Sequence, residues 1–333
     1  MINNQWYAVL DSRKVKKGEI VGARRFGRNL AFFRTEDGVL GCVSSLCAHR
    51  GASLVKGCVK DGNIQCPFHG IEYDAEGKCV FIPSEGKAST KDISRFNLKH
   101  YPVKEIGGIV FAWYSEDGSD SIGEPEYFNI IKDSSYTYDH MEDQWGVQYS
   151  RVIENQLDVS HLPFVHKTTI GRGGKTLCNG PMTVWLDENT LQTSANNEID
   201  SGQTPLANRD SIIKETNLNF KFPNMWLNHV SDKIQILAFF IPVDDEHSII
   251  ALRFYNKLTG SRSINKCIAW LGSQANRIVE RQDKRIVETQ LPKASGLSIG
   301  ENLVQADKPI MEYRKRREEL KRTQKETQNL KDE

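Results

Sequence analysis

The sequence predicts an α+β protein in which a small all-β domain precedes an antiparallel sheet wrapped around one long helix. From Trp6 to about Tyr114, short runs rich in β-branched and aromatic residues are divided by Asp-Gly and Glu-Gly turns, which is typical of an all-β domain. The second half has further strand-like runs. Over residues 263–288 apolar side chains then recur three and four positions apart, as an amphipathic helix requires.

The length of 333 residues predicts about two domains. Residues 116–126 are polar, contain glycine and serine, and have few apolar side chains, so we expect a linker there. The first domain then spans 1–115, the second spans 127–320, and residues 321–333 form a charged tail. The segment after Pro309 alternates in charge, which predicts a solvated helix that frays.

In the second domain we expect a helix around 152–162 and strands at 182–186, 212–222, 234–243 and 248–255. The long helix is expected to bury its apolar positions: Ile264, Ile268, Leu271, Ala275, Ile278, Val279, Ile286 and Val287. Glu280 and Glu288 lie close in sequence to Lys284 and Arg285, so both are predicted as charges on the solvated face.

Bulk composition excludes several classes of function. Hydrophobic content of 38%, charged content of 26% and a net charge of +1 indicate a globular protein without general attraction to nucleic acid or anionic membranes. The N-terminus lacks a signal-peptide layout, and no apolar run approaches the roughly 18 residues needed to span a bilayer. We therefore expect a cytoplasmic protein.

Two cysteine–histidine pairs lie close together: Cys47-Ala-His49-Arg-Gly51 and Cys66-Pro-Phe-His69-Gly70. Two thiolates and two imidazoles suit a 2Fe–2S cluster with the cysteines on one iron and the histidines on the other. Each pair lies in a turn that contains glycine. The spacing therefore predicts two loop tips that hold one cluster between them.

A structural zinc site and a disulfide are the alternatives for these four residues. Zinc motifs usually place the two cysteines together and the two histidines together, whereas here each pair is mixed. A disulfide between Cys47 and Cys66 is disfavoured because nothing marks the chain as secreted. The other five cysteines are expected to be reduced thiols: Cys42, Cys58, Cys79, Cys178 and Cys267.

These motifs resemble the Rieske domain of ring-hydroxylating oxygenases, as do Tyr73-Asp74-Ala-Glu-Gly77-Lys-Cys79 and Ile82-Pro83. Cytochrome bc-type Rieske proteins have disulfide-forming cysteines where this chain has Ala52 and Phe68. The resemblance therefore implies the lower-potential oxygenase type of cluster. Ile71 stands where the family commonly has tryptophan, and we expect this to alter packing or donor docking rather than ligation.

A second constellation is Glu154-Asn155-Gln-Leu-Asp158-Val-Ser-His161-Leu-Pro163-Phe-Val-His166. On a helix, Asn155, Asp158 and His161 would share one face, and Pro163 would break the helix so that His166 can swing back towards it. Two histidines and one carboxylate would leave open positions for O₂ on non-haem Fe(II). Taken alone, two such histidines are more often packed and hydrogen-bonded, but the cluster motif upstream favours a metal site.

Helix geometry points to the missing carboxylate. Asp283 is four residues after Val279 and four before Val287, so it projects from the apolar face of the long helix. An unpaired buried carboxylate is strongly unfavourable, so Asp283 needs a metal or a cationic partner, and a salt bridge to an arginine is the alternative. His229 could line the pocket, although a core or edge-strand role is favoured.

Both stretches also resemble the mononuclear-iron motifs of the same oxygenase family. The resemblance implies that His161, His166 and Asp283 hold a mononuclear Fe(II) and that Asn155 lies near the iron. It also implies that Asp158 couples this iron to a neighbouring subunit's cluster through His69. The implied fold is a Rieske domain followed by a helix-grip catalytic domain.

The resemblance implies a terminal oxygenase α subunit of the α₃ type, acting on an aromatic or polycyclic small molecule. No GxGxxG fingerprint for a nicotinamide or flavin is present, so an external ferredoxin or reductase must supply electrons. A head-to-tail homotrimer would bring one subunit's cluster beside its neighbour's iron. Lys56, Lys60 and Lys78 are candidates for contact with an acidic donor, or else scattered solubilising charges.

Two alternatives to this interpretation stay open. One is a Rieske electron carrier fused to a non-catalytic binding domain, although about 115 residues would suffice for a carrier. The other is cis-dihydroxylation instead of the monohydroxylation or dealkylation that the short chain favours.

Overall fold

We describe a computed structural model that covers residues 1–116, 118 and 123–332, with side chains up to residue 323. The chain divides into two compact units, one built from residues 3–125 and the other from residue 126 onward. Part of the predicted linker, residues 117 and 119–122, lies outside the described residues, as does residue 333 of the predicted tail. Among the described helices, none is both long and apolar enough to cross a membrane.

The described part of the N-terminal unit contains three antiparallel sheets, with strand orders β1-β10-β9, β2-β3-β4 and β5-β6-β7-β8. The strands are β1 Gln5–Asp11, β2 Ile20–Arg25, β3 Arg28–Arg34, β4 Leu40–Ser44, β5 Cys58–Lys60, β6 Asn63–Gln65, β7 Glu72–Tyr73, β8 Cys79–Phe81, β9 Val103–Ile106 and β10 Ile109–Tyr114. One core cluster in this unit includes Leu54, Ile64, Ile71 and Tyr73. Ile71 is therefore a packing residue.

The second unit is built on a seven-stranded antiparallel sheet with the order β11-β19-β18-β17-β16-β14-β13. The described strands of this unit are β11 Thr137–Trp145, β12 Leu177–Cys178, β13 Thr183–Asp187, β14 Thr190–Ser194, β15 Asn197–Glu198, β16 Asn217–Lys221, β17 Met225–Ser231, β18 Ile234–Pro242 and β19 Ser248–Asn256. Of these, β12 and β15 pair with each other in a separate two-stranded sheet. The helices of the unit are α1 Tyr149–Leu157, α2 Leu162–Val165, α3 Arg262–Val287 and α4 Lys308–Asp332. The predicted α+β class, with a large sheet beside one long helix, is confirmed.

One close contact fixes which face of the sheet α3 covers. A Cβ on Gly272 of α3 would lie 2.6 Å from the ring of Phe254 on β19, so only glycine lets the helix approach this closely. Across the sheet, Phe254 is in register with Ile236, and Ile236 with Asn228. These positions therefore share the face on which α3 lies, whereas His229 points to the opposite face.

The predicted buried face of α3 was wrong. Ile264, Leu271, Ile278 and Ile286 are between 45% and 59% exposed. The buried side instead consists of small and polar residues, with Val287 as its largest aliphatic side chain: Asn265, Ala269, Ser273, Glu280, Asp283 and Val287. Asp283 and Val287 are buried as expected and Val279 is half-buried, so the spacing argument for Asp283 holds although most of the predicted apolar stripe is exposed.

The charged segment after Pro309 was also predicted incorrectly at its start. Tyr313, Arg314 and Arg317 on α4 are at most 3% exposed. Tyr313 packs edge-on against Phe220 with ring centroids 5.2 Å apart. Arg314 donates to Glu154 of α1 at 2.7 Å, so the start of α4 is part of the core.

Candidate metal centres

The two cysteine–histidine pairs fold into matching turns. The Cys47 N–H donates to Ala52 O at 2.9 Å, and the Cys47 carbonyl accepts from the Gly51 N–H at 2.9 Å. In the second turn, the Cys66 N–H donates to Ile71 O at 2.8 Å and the Cys66 carbonyl accepts from the Gly70 N–H at 3.0 Å. Both glycines adopt a left-handed conformation, with φ of +69° and +70°, which favours glycine.

The four side chains of these turns come together with thiols inside and imidazoles at the surface. Cys47 and Cys66 are 3% and 2% exposed, and the rings of the exposed His49 and His69 have centroids 4.7 Å apart. The Tyr73 hydroxyl lies 3.1 Å from Cys47 Sγ. Burial raises the pKa of the Cys66 thiol. Segregation of sulfur from nitrogen donors fits a Rieske-type 2Fe–2S cluster better than it fits four equivalent zinc ligands.

A surface cavity of about 540 Å³ lies beside the two imidazoles. Its rim has charges of both signs, including Glu85, Lys91 and Arg95. The three lysines proposed from the sequence for donor docking, Lys56, Lys60 and Lys78, are exposed but do not line this cavity. Lys78 also forms a surface ion pair with Glu76 at 2.6 Å.

The helix predicted at 152–162 begins earlier and is broken in the middle. α1 ends at Leu157, and Asp158 is extended with φ −86° and ψ 127°. The Asp158 carboxylate accepts from both the N–H and the hydroxyl of Ser160 at 2.6 Å, a local arrangement that competes with helical hydrogen bonding. The expectation that Asn155, Asp158 and His161 share one continuous helical face was therefore wrong. Pro163 lies in the first turn of α2, where its missing N–H costs nothing.

The broken segment nevertheless brings His161 and His166 to Asp283 of α3. Asp283 Oδ1 lies 3.3 Å from His161 Nε2 and 2.9 Å from His166 Nε2, and one ligand atom from each residue lies within 4.8 Å of the others. Although these atoms are close, Asp283 Oδ1 forms no hydrogen bond within the described part of the chain. The donors thus face a common point, as the ligands of a 2-His-1-carboxylate metal site do.

The two imidazoles and the neighbouring carboxylates shift one another's pKa values. Burial lowers the pKa of His161, but the carboxylates of Asp158 and Asp283 more than offset this and raise it to about 9. Burial raises the pKa of Asp283, yet the two imidazoles hold it below its ordinary value. Asp158 Oδ2 lies 3.3 Å from His161 Nδ1, on the side of the ring away from Asp283. Asn155 is half-buried on α1, and its Nδ2 has no partner.

The structure adds Gln282, which the sequence analysis missed. Its Oε1 lies 2.9 Å from His166 Nδ1 and accepts from the Thr169 hydroxyl at 2.8 Å, while its Nε2 donates to the Thr168 hydroxyl at 3.2 Å. A polar partner on the outer ring nitrogen fixes the tautomer and orientation of a metal-ligating histidine. Only its position beside Asp283 could have suggested this role from the sequence.

Glu280 and Glu288 were wrongly predicted as solvated charges. Glu280 is 4% exposed, and Lys284 bonds instead to Asp143 of β11 at 3.4 Å. Glu288 accepts from the Gly146 N–H at 2.7 Å. The His229 Nδ1–H donates to the Glu215 carbonyl at 2.8 Å, and His229 lies on the sheet face away from α3, which favours a structural role for it over pocket lining.

Comparisons with known proteins agree with this arrangement of two sites. Residues 5–102 match the family model described as Rieske 2Fe–2S domain, and residues 145–323 match the one described as vanillate O-demethylase oxygenase C-terminal domain. The chain is 33% identical over 174 residues to chlorophyllide a oxygenase of Oryza sativa subsp. japonica, covering 52% of this chain and 30% of that protein. It is 33% identical over 168 residues to cholesterol 7-desaturase of Bombyx mori, covering 50% and 36%. The matched region thus spans about a third of these relatives.

Two solved structures share the fold at low sequence identity. NdmA of Pseudomonas putida CBB5 superposes with a TM-score of 0.78 at 21% identity, covering 97% of this chain and 92% of that one. Apo dicamba monooxygenase gives a TM-score of 0.71 at 18% identity, covering 98% and 99%.

Proposed function

Because the chain belongs to the family of Rieske oxygenases with a vanillate O-demethylase-type C-terminal domain, we propose that it is a terminal oxygenase that oxidises an aromatic or polycyclic small molecule with O₂. The observation that carries this proposal is the convergence of His161, His166 and Asp283 on one point in a chain that also has a Rieske domain. A protein that only carries electrons would not need this second set of metal-ligating side chains.

The proposed division of the chain is a Rieske domain at 1–115 and a catalytic domain at 127–320. In the first, Cys47, His49, Cys66 and His69 would hold the cluster; in the second, His161, His166 and Asp283 would hold a mononuclear Fe(II). Bound iron supplies O₂ activation at positions that the three protein ligands leave open.

The remaining residues orient and connect the ligands. Gln282 holds the His166 ring through Nδ1 at 2.9 Å, so that Nε2 stays directed at the metal position. His161 and Ser160 together outweigh burial and keep the pKa of Asp158 below its ordinary value, and its carboxylate lies 3.3 Å from His161 Nδ1, on the side of the ring away from Asp283. In a head-to-tail homotrimer, Asp158 would contact His69 of the neighbouring subunit, a ligand of that subunit's cluster.

The substrate class rests on what the relatives are named for. Chlorophyllide a, cholesterol, caffeine and dicamba are aromatic or polycyclic molecules named with those proteins. An external ferredoxin or reductase would supply electrons. The matched region covers 92% of NdmA and 99% of dicamba monooxygenase, so these chains are close in length to this one. Dicamba monooxygenase is named for monooxygenation, and we therefore favour monooxygenation over dioxygenation for this protein.

The proposal is tested with anaerobically reconstituted protein, a surrogate reductase and a panel of aromatic and polycyclic compounds. We expect substrate-dependent O₂ uptake and a product that carries label from ¹⁸O₂. His161→Ala should keep the visible spectrum and reducibility of the cluster but abolish product formation. His247→Ala, a histidine on a surface turn that bonds to Asp244, is the matched control and should retain activity.

A chain with a reducible cluster but no second iron, or one in which His161→Ala still forms product, would reject the oxygenase proposal in favour of an electron carrier. Two labelled oxygen atoms in the product would instead favour cis-dihydroxylation over monooxygenation.

A further inference from the structure

The buried side of α3 presents a row of polar side chains to the sheet. Ser273, Asn276, Glu280 and Asp283 follow one another at spacings of three and four, so they form one stripe along the helix. Each carries a buried polar atom that has no hydrogen-bond partner among the described residues: Ser273 Oγ, Asn276 Nδ2, Glu280 Oε2 and Asp283 Oδ1. A bound metal accounts for the atom on Asp283. The others need a different partner.

Glu280 is the strongest of these because a carboxyl is the most costly group to bury unpaired. It is 4% exposed. Among the described residues, no basic side chain forms an ion pair with it, and Lys284, one turn further along α3, bonds to Asp143. Glu280 also lies outside the three-residue set that could hold the metal. A purely structural glutamate would be expected to have a partner in the fold.

The charges around Glu280 define what is missing. Asp283 lies one turn away on α3, Asp143 of β11 accepts from Lys284 at 3.4 Å, and both carboxyls and the His161 imidazole act on the charge of Glu280. Burial raises the pKa of Glu280 well above its ordinary value, the carboxyls of Asp283 and Asp143 raise it further, and the His161 imidazole lowers it in part. An anionic substrate would meet the same repulsion. A group that donates a hydrogen bond or carries positive charge would relieve it.

We propose that Glu280 is a specificity-determining residue that receives an N–H donor of the substrate, best supplied by a protonated amine, about one helical turn from the metal position. This inference rests on the proposed oxygenase function and narrows it. The site selects aromatic molecules that carry a basic nitrogen and discriminates against aromatic carboxylates.

Anaerobic calorimetry with matched probes tests the inference: benzylamine against benzoate, and naphthylmethylamine against naphthoate. Wild-type protein with an intact cluster should bind the amine at least about tenfold more tightly than the matching carboxylate. This preference is expected for the one-ring pair, for the two-ring pair or for both. Glu280→Gln should reduce this ratio by about tenfold or more. Glu288→Gln, at the residue that follows the end of α3, is the control and should leave the ratio unchanged.

Thermal unfolding separates recognition from a structural role. Glu280→Gln and Glu280→Leu should unfold at the same or a higher temperature than wild type, because both remove an unpaired buried carboxyl. Glu288→Gln should unfold at a lower temperature, because the Gly146 N–H loses its charged acceptor. An amine preference absent from wild type, or unchanged in both Glu280 variants, would overturn the inference. The ratio of amine affinity to carboxylate affinity is measured with and without added Fe(II). A variant that has lost iron binding can then be told apart from one that has lost amine recognition.

Discussion

Replacing Gln282 with leucine is expected to weaken Fe(II) binding at the His161–His166–Asp283 site by about 10- to 100-fold. The leucine keeps much of the side-chain volume but removes the oxygen that lies 2.9 Å from His166 Nδ1. Without that acceptor, the imidazole is free to rotate and to take the tautomer that places its proton on Nε2. A protonated Nε2 cannot bind a metal.

The size of the effect follows from the hydrogen bonds lost. Gln282 makes three, to His166, Thr168 and Thr169, and each contributes about 1 kcal/mol net. The two threonine bonds stabilise the loop with or without metal, so their loss should appear chiefly in unfolding. The bond to His166 is strengthened when the ring binds iron. A loss of about 1.4–2.7 kcal/mol in metal affinity is the energetic equivalent of a 10- to 100-fold change.

The assay is an anaerobic titration with Fe(II) against a competing chelator, with the visible spectrum of the cluster as an internal check on the N-terminal unit. Gln282→Glu should bind Fe(II) at least as tightly as wild type, because a carboxylate is a stronger acceptor for the imidazole N–H. Gln274→Leu, two turns earlier on α3, should have no effect. Equal affinities for wild type and Gln282→Leu would refute the orienting role.

Three further predictions concern the cluster, the core and the protonation of His161. Tyr73→Phe removes a hydroxyl that lies 3.1 Å from Cys47 Sγ. Spectroelectrochemistry should show a cluster potential lower by about 40 mV, which is equivalent to about 1 kcal/mol for one electron. An unchanged potential would contradict the hydrogen bond between Tyr73 and Cys47. Glu154→Ala removes the buried carboxylate that Arg151 and Arg314 share, and both arginines keep Glu301 as an ion-pair partner. Urea unfolding followed by circular dichroism should show a loss of about 1.5–3 kcal/mol, the range for hydrogen bonds to charged groups, and no measurable loss would refute the contribution of Glu154. Fe(II) must displace the proton that His161, with a pKa of about 9, holds at neutral pH. Apparent affinity should therefore rise about tenfold per pH unit up to about pH 9, and a flat profile would exclude this competition.

The sequence was most informative where ligand spacing is local. Each Rieske turn is specified within five residues, because the cysteine and the glycine four positions later close the turn by their own backbone hydrogen bonds. The same holds for His161 and His166, which α2 separates by one short turn. The two histidines come together as their spacing suggested, although the continuous helix assumed for Asp158 was wrong. The Asp158 side chain bonds to Ser160 and so competes with helical hydrogen bonding, which hydrophobic periodicity does not detect.

Partners that come from different elements were beyond such reasoning. Gln282 reaches His166 across 116 residues of sequence, and Arg314 reaches Glu154 across 160. Nothing in the residues around Arg314 distinguishes it from a solvated charge, because its burial depends on α4 lying against α1. Alternating charge therefore predicted a fraying helix where the fold has a buried ion-pair network.

The error on α3 has a more specific cause. A stripe of apolar residues and a stripe of polar residues run along the same helix, and periodicity detects both without saying which one faces the sheet. Burial of the apolar stripe is the default because it stabilises the fold. Here the fold buries Ser273, Glu280 and Asp283 and leaves Leu271 and Ile278 exposed. Such an inversion costs stability unless something else binds the polar groups. A metal at Asp283 and a donor-bearing substrate at Glu280 would together supply that compensation, and on this argument α3 is oriented for its ligands at the expense of its own packing.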